Sequence, residues 1–187
     1  NLIFKWLQNN KLSFEKLEKE MDDNNSMINL SIVIPAKNEE ETLPFVINEL
    51  RQFLSSFPDK YEVIVVNDNS TDKTKSICEK NSDLIKLVNN NKGSGKGLAL
   101  RAGFENAKGK FILMMDSDFS HNANDIDIMY EEVKNTNGLV IASRITGGSE
   151  EYTTIRAFGN IFLTWFFGLL HKRYLSDILN GFKIFHR

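Results

Sequence analysis

Short apolar runs alternate with amphipathic segments from residue 30 onward, and this alternation is the most regular pattern in the chain. The run at 61–66 is apolar on both faces of a strand, whereas Leu43, Val46 and Leu50 share one face of a helix. Helices that alternate with fully apolar strands predict an α/β fold whose mostly parallel sheet is covered on both faces. The predicted strands are 30–35, 61–66, 84–88, 111–115 and 139–143, and the predicted helices are 39–53, 71–80, 95–107 and 124–135.

The two ends of the chain depart from this alternation. Apolar residues at helical spacing and then the polar run 22–26 predict an amphipathic extension and linker over residues 1–28. One domain then covers 29–187, and we expect it to continue beyond the last residue. The apolar run at 161–170 is too short to cross a bilayer. It is either a core helix or a helix that lies at a membrane interface or contacts a lipid.

Composition narrows the function only slightly. The chain has 187 residues, 41% of them hydrophobic, which is enough for one ordinary domain with a buried core. Its formal net charge of −2 provides no electrostatic argument for a nucleic-acid partner. The single cysteine, Cys78, excludes an intramolecular disulfide and favours a reducing compartment.

The carboxylates that follow the apolar run 111–115 are the strongest indication of chemistry. Asp116 and Asp118 are separated only by Ser117, at the point where the predicted strand ends. Open α/β sheets bind ligands at the carboxyl ends of their strands, and Mg²⁺ is commonly shared between carboxylates and substrate phosphates. The pair therefore predicts a site for a metal and a diphosphate. A strand cap followed by a solvated turn is the alternative.

Polar loops follow other predicted strands as well. Asp68 precedes the segment 70–72, which is typical of a helix cap, so Asp68 is the freer carboxylate to bind a nucleobase or ribose. The glycine-rich segment 93–97 lacks the spacing of a nucleotide-triphosphatase loop, but its amides and Lys96 favour an anion. His121 is near the carboxylate pair, where it either joins a metal site, supports one from outside or has a purely structural role. Because these loops share one edge of a parallel sheet, we expect a single site.

Six ordered motifs resemble those of family 2 glycosyltransferases, and most closely the polyprenyl-phosphate sugar transferases of the dolichol-phosphate mannosyltransferase type. The resemblance covers residues 29–187. Lys37 stands where that family usually has an aromatic residue, and Asn67 and Asn69 stand where it usually has Asp and Gly. The motifs are 31–40, 65–72, 91–97, 116–121, the positions Ser143, Arg144, Gly147, Gly148 and Arg156, and 180–182.

The resemblance implies a GT-A fold, which is a Rossmann-like three-layer sandwich, with a GDP- or UDP-sugar as donor and Mg²⁺ or Mn²⁺ as cofactor. Carried over by position, Asp118 would hold the metal with Asp116 and Ser120, and Arg144 and Arg156 would bind the acceptor. Catalysis would rest on Asp116, Asp118 and Arg144. The donor pocket would comprise Pro35, Ala36, Lys37, Glu39, Val66, Asp68, Asp116, Ser117, Asp118 and Ser120.

The acceptor determines whether the reaction needs a general base. A sugar hydroxyl needs one, whereas a phosphate monoester with a second pKa of about 6 is already largely dianionic and needs only a cation such as Arg to place it. We therefore predict inverting sugar transfer to a polyprenyl phosphate by a cytoplasmic protein that is peripheral at the cytoplasmic face of a membrane. Two alternatives stay open. One is a family 2 transferase acting on a sugar hydroxyl in polysaccharide or glycan synthesis, and the other is a catalytically decayed module that binds nucleotide-sugars.

Overall fold

The computed structural model describes residues 27–136, 138–143, 163–166, 168–170, 177 and 179–187. Most of the predicted N-terminal extension and both predicted acceptor arginines, Arg144 and Arg156, lie outside these residues. The strands are β1 (Leu30–Ala36), β2 (Tyr61–Asn67), β3 (Ile85–Asn89), β4 (Phe111–Met114), β5 (Leu139–Ile141) and β6 (Lys183–His186). The helices are α1 (Leu43–Leu54), α2 (Thr74–Lys80), α3 (Lys96–Asn106) and α4 (Asp125–Thr136), and residues 163–166 and 168–170 are also helical.

These strands form one sheet in the order β3-β2-β1-β4-β6-β5. The central strand β1 pairs in parallel with both β2 and β4, and β2 pairs in parallel with β3. The carboxyl ends of these four strands therefore meet at one edge. Strand β6, which the sequence pattern did not predict, runs antiparallel between β4 and β5. The prediction of an α/β fold with a mostly parallel sheet is confirmed.

The two faces of the sheet carry separate hydrophobic cores. Ile32 and Ile34 of β1 belong to the core that α1, α2 and α4 cover, whereas Val33 points to the opposite face and packs with α3. This alternation follows from the two-residue period of a strand. The result is three layers, with α3 alone among the four named helices on its side.

Helix α3 lies unusually close to the sheet at Gly103. A Cβ atom built on Gly103 would lie 2.3 Å from Cγ1 of Val33 and 3.1 Å from Cγ2 of Val66, so only glycine fits at this distance. Helix α3 begins with Lys96 near the carboxyl edge of the sheet, since Lys96 lies beside Asp116.

Two helices begin later than the sequence predicts, because the polar residues before them bond to each other. The prediction places the starts at residues 39 and 71, whereas α1 begins at Leu43 and α2 at Thr74. The backbone amide of Glu40 donates to Oδ2 of Asp72 (3.0 Å), and that of Lys73 donates to Oε2 of Glu40 (3.0 Å). These bonds join the loops after β1 and β2.

Candidate functional site

A cleft of about 300 Å³ opens at the carboxyl edge of β1, β2 and β4. All of the predicted donor-pocket residues line it except Val66, which is fully buried beneath α3, and Ser120, which bonds to Asp118. The lining residues are Pro35, Ala36, Lys37, Glu39, Asp68, Gly95, Lys96, Ala99, Asp116, Ser117 and Asp118.

The loop after β2 is shaped by side chains that bond to backbone groups. Asn69 has a φ of 58°, a left-handed conformation that asparagine tolerates better than most residues. Oδ1 of Asn67 accepts from the amide of Ser70 (3.1 Å), while its Nδ2 donates to Asn89 (3.2 Å). A carboxylate at position 67 could not make the second bond. Asp72 accepts from the amide of Thr74 (2.9 Å) at the start of α2, as the helix-cap interpretation predicts.

Asp68 holds the glycine-rich loop over the cleft. Its Oδ1 accepts from Nδ2 of Asn90 (2.7 Å), and its Oδ2 accepts from the amide of Gly95 (2.7 Å). Burial raises the pKa of Asp68, but the hydrogen bonds from Gly95 and Asn90 and the nearby Lys37 charge outweigh this effect and lower it overall. Asp68 is 3% exposed. The carboxylate of Asp68 is thus already hydrogen-bonded to protein groups, whereas the sequence suggested that it is freer to bind a ligand.

A second set of contacts joins the glycine-rich loop to the loops after β1 and β2. Nζ of Lys37 donates to Oγ of Ser94 (2.8 Å), and Nδ2 of Asn69 donates to the carbonyl of Gly93 (2.9 Å). Lys37, which stands in place of an aromatic residue, therefore bridges one wall of the cleft to another. The residues that depart from the family pattern are used in these loop contacts.

Asp116 is an anchored carboxylate. Nζ of Lys96 lies 2.6 Å from its Oδ1, and Nε2 of His121 lies 3.8 Å from its Oδ2. Burial raises the pKa of Asp116, but interaction with His121 and the hydrogen bond and charge of Lys96 outweigh it and lower the pKa to about 2. Asp116 is therefore ionised throughout the physiological range.

Asp118 is held differently, because its neighbours engage one oxygen only. Oδ1 accepts from the amide (3.1 Å) and the hydroxyl (2.6 Å) of Ser120, and within the described part of the chain no hydrogen bond reaches Oδ2. No cluster of three or more His, Cys, Asp or Glu side chains suited to a metal occurs among the described residues. One or two carboxylates with a neighbouring hydroxyl nevertheless suit Mg²⁺ or Mn²⁺, because such ions take their other ligands from water and substrate phosphates.

Two residues beside Asp116, His121 and Gly181, are not among the predicted site residues. The sequence suggests His121 only through its closeness to the carboxylate pair, and Gly181 only as part of the motif 180–182. Gly181 is close in space but 65 positions away along the chain, and only the pairing of β6 with β4 brings it there. In the sequence, only the resemblance of the motif 180–182 to the family pattern points to Gly181.

A sequence model described as Glycosyl transferase family 2 matches residues 31–184. The chain belongs to this family. The family 2 chain is 34% identical over 171 residues to the dolichyl-phosphate beta-glucosyltransferase ALG5A of Trichomonas vaginalis, covering 84% of this chain and 53% of that protein. It is 31% identical over 180 residues to the human dolichyl-phosphate beta-glucosyltransferase, covering 84% and 55%. The chain thus spans about half the length of these curated relatives.

Solved structures confirm the predicted GT-A fold of this family 2 chain. Glucosyl-3-phosphoglycerate synthase from Mycobacterium tuberculosis, solved with Mn²⁺, UDP and phosphoglyceric acid, superposes with a TM-score of 0.66. The match covers 90% of this chain and 59% of that protein, at 21% sequence identity. At this identity the likeness shows the fold alone.

Proposed function

We propose that the protein transfers a sugar from a nucleoside-diphosphate donor to a polyprenyl phosphate. An acceptor phosphate oxygen forms a bond to the anomeric carbon while the bond from that carbon to the donor diphosphate breaks, and the nucleoside diphosphate leaves with the electron pair. The observation that carries the proposal is the pair of differently held carboxylates in the cleft, Asp118 with an open oxygen and Asp116 paired with Lys96. The names of the relatives support the acceptor class.

The chain's own residues can receive the diphosphate at the mouth of the cleft. Asp118 and the hydroxyl of Ser120 would hold a divalent cation, which would supply Lewis-acid charge to the leaving diphosphate. Lys96 brings a second positive charge within 2.6 Å of Asp116, and its side chain is more than half exposed. The ammonium is therefore available to an incoming anion, although it is bound on one side.

Two carboxylates of the cleft, Asp116 and Asp68, are poor candidates for a general base. A carboxylate with a pKa of about 2, as in Asp116, is a poor general base near neutral pH, and the pKa of Asp68 is also lowered. A sugar hydroxyl would need a stronger base, whereas a phosphate monoester is already largely dianionic. Arg144 and Arg156 are the proposed cations for that phosphate. This argument favours a lipid phosphate over a sugar hydroxyl.

Apolar side chains near the carboxyl end of the chain support a lipid substrate and a membrane surface. Trp165, Leu169 and Leu170 are each at least 60% exposed on the short helical segments described there. No helix among the described residues is long and apolar enough to cross a bilayer. We therefore propose peripheral contact with the cytoplasmic face of a membrane through such side chains. For the donor sugar, the relatives' names favour glucose, and the transfer assay below compares a uridine with a guanosine donor.

A transfer assay with radiolabelled donors tests this function. The full chain is incubated with UDP-glucose or GDP-mannose, dolichyl phosphate and Mn²⁺, and the label is partitioned between organic and aqueous phases. We expect label in the lipid extract and its loss, by at least about 100-fold, in Asp118→Ala, because charge stabilisation of the leaving group is removed. The matched control is Asp127→Ala, since Asp127 is an exposed carboxylate on α4, away from the cleft lining.

Other outcomes identify the alternatives. Label in a water-soluble product would favour transfer to a sugar hydroxyl. Absence of both transfer and Mn²⁺-dependent binding of UDP or GDP would favour a decayed binding module. Full activity of Asp118→Ala in metal-buffered solution would exclude the metal role of Asp118.

A further inference from the structure

The carboxylate of Asp116 occupies the space that Gly181 leaves empty. A Cβ atom built on Gly181 would lie 2.2 Å from Oδ2 of Asp116 and 2.7 Å from both Cγ and Oδ1. Such distances are impossible for a real side chain, so any other residue at position 181 displaces the carboxylate. The backbone of the segment 180–182, which we call the wall, therefore lies against Asp116, a residue that lines the donor cleft.

His121 faces the same oxygen from a buried position. Its Nε2 lies 3.8 Å from Oδ2 of Asp116, which is too long for a direct hydrogen bond, and it has no hydrogen-bond partner among the described residues. The His121 side chain is only 7% exposed, and its ring stacks on Phe182 with centroids 4.8 Å apart and an interplanar angle of 14°. A buried nitrogen without a partner costs stability, so a purely structural role would be filled better by an apolar ring.

The wall behind Asp116 is itself fixed. Oδ1 of Asn180 accepts from the amide of Phe182 (3.0 Å), and its Nδ2 donates to the carbonyl of Ala142 (2.5 Å). The amide of Ala142 in turn donates to the carbonyl of Phe182 (3.1 Å), and β6 continues from this point along β4. The segment 180–182 is thus bonded to Ala142, which follows β5, and leads directly into β6, which pairs with β4.

We infer that His121 and Gly181 are positioning residues for the transfer reaction, which fix the Asp116 carboxylate with Oδ1 toward Lys96 and the donor diphosphate. The inference rests on the proposed function and assigns a role to the 180–182 motif. Gly181 leaves room for the carboxylate in this position, and Nε2 of His121 faces Oδ2 from the buried side. Oδ1 is then presented to the cleft, where Lys96 lies. Misplacement of a reacting or binding group by about 1 Å costs about 100-fold in rate, so this fixation matters.

The inference is tested by double-mutant cycles. Two variants, Gly181→Ala and His121→Phe, are each combined with Asp116→Asn. Gly181→Ala pushes the carboxylate away, and His121→Phe keeps the stack on Phe182 but removes Nε2. With Asp116 present, we expect each variant to lower kcat for glucose transfer from UDP-glucose to dolichyl phosphate by about tenfold or more. In the Asp116→Asn background the same changes should cost less than about twofold, because the group they position is gone.

Controls separate this role from a loss of folding. Gly138→Ala adds a methyl group at an exposed glycine whose Cβ would have only ordinary contacts, and it should leave kcat unchanged. The melting temperature of every variant is measured, and His121→Phe provides a second test if Gly181→Ala unfolds. Equal losses of kcat with and without Asp116, or no loss in either variant, would overturn the inference.

Failure of the proposed function gives a different result. If the parent chain transfers no sugar, the cycles are read from Mn²⁺-dependent binding of UDP by calorimetry. If Gly181→Ala and His121→Phe weaken UDP binding about tenfold only when Asp116 is present, the positioning role is supported although the transfer proposal is wrong. Equal weakening in both backgrounds, unchanged affinity, or no UDP binding at all would overturn the positioning role too.

Discussion

Replacing Gly103 with alanine tests how closely helix α3 lies against the sheet. The added methyl group would lie 2.3 Å from Cγ1 of Val33, a fully buried and rotationally stiff side chain on the central strand. Neither the helix nor β1 can move freely, because both are packed on other elements. The change therefore has to be accommodated by strain in this part of the core.

The expected loss combines two opposing effects. Alanine is better than glycine in a helix by about 0.8–1 kcal/mol, whereas overpacking a well-packed core costs about 1–3 kcal/mol. We expect a net loss of about 1 kcal/mol in the free energy of unfolding. For a chain of this size, that corresponds to a melting temperature lower by about 2–4 °C.

Gly97 provides the matched control, because it lies in the first turn of the same helix with nothing within 4 Å of its built Cβ. Gly97→Ala gains the helix propensity without the clash and should stabilise the protein by about 0.5 kcal/mol. Urea titration followed by circular dichroism measures both variants. A gain in unfolding free energy for Gly103→Ala similar to that of Gly97→Ala would refute the close packing of α3 on Val33.

Three further predictions concern a thiol, a loop and a carboxylate. Burial raises the pKa of Cys78 to about 11. A thiol reagent at pH 8 should therefore react with the native chain about 100-fold more slowly than with the urea-unfolded chain. Rapid labelling of the native chain would contradict this prediction. Asn69→Ala should lower the free energy of unfolding by about 1–2 kcal/mol, because it loses the bond to Gly93 and disfavours a φ of 58°. Asn69→Gly should lower it less, because glycine adopts this φ freely. Denaturant titration measures both variants, and equal losses would argue against a contribution from the φ of residue 69. The pKa of Asp116, lowered overall from 3.8 to about 2, means that its ionised form contributes about 2 kcal/mol of stability that is present above pH 4 and lost as the pH falls toward 2. The gap in unfolding free energy between the parent chain and Asp116→Asn should therefore shrink between pH 5 and pH 2, and a gap that stays constant would exclude the shift.

The parallel part of the fold was predictable because its strands are apolar on both faces. The predicted strand at 61–66 and the observed Tyr61–Asn67 differ by one residue at one end. Strand β6 was not predictable in the same way, since Lys183–His186 is short and mixed in polarity and becomes a strand by pairing with β4. Helix starts were predicted too early, because polar residues before the helices bond across the loops. Asp72 both caps α2 through the amide of Thr74 and accepts from the amide of Glu40 in the loop after β1.

The candidate site was predictable as far as its side chains follow strand ends. Asp116 and Asp118 directly follow a buried strand, and a parallel sheet brings such ends together. Contacts within the site were not predictable. The sequence indicated that Asp68 is freer to bind a ligand than the helix-cap residues, but its carboxylate holds the glycine-rich loop through Gly95, and no local pattern encodes that bond. The approach of Gly181 to Asp116 depends on a strand pairing between distant segments.

The antiparallel position of β6 has a consequence for synthesis of the protein. The strands β1 to β4 leave the ribosome before residue 183, and until β6 arrives the edge of β4 has unpaired backbone groups that can recruit another chain. At typical elongation rates, the interval between the end of β4 and the end of β6 lasts roughly 4–14 s. The pairing of β6 with β4 therefore covers the exposed edge of β4 and brings the segment 180–182 against Asp116 at the same time.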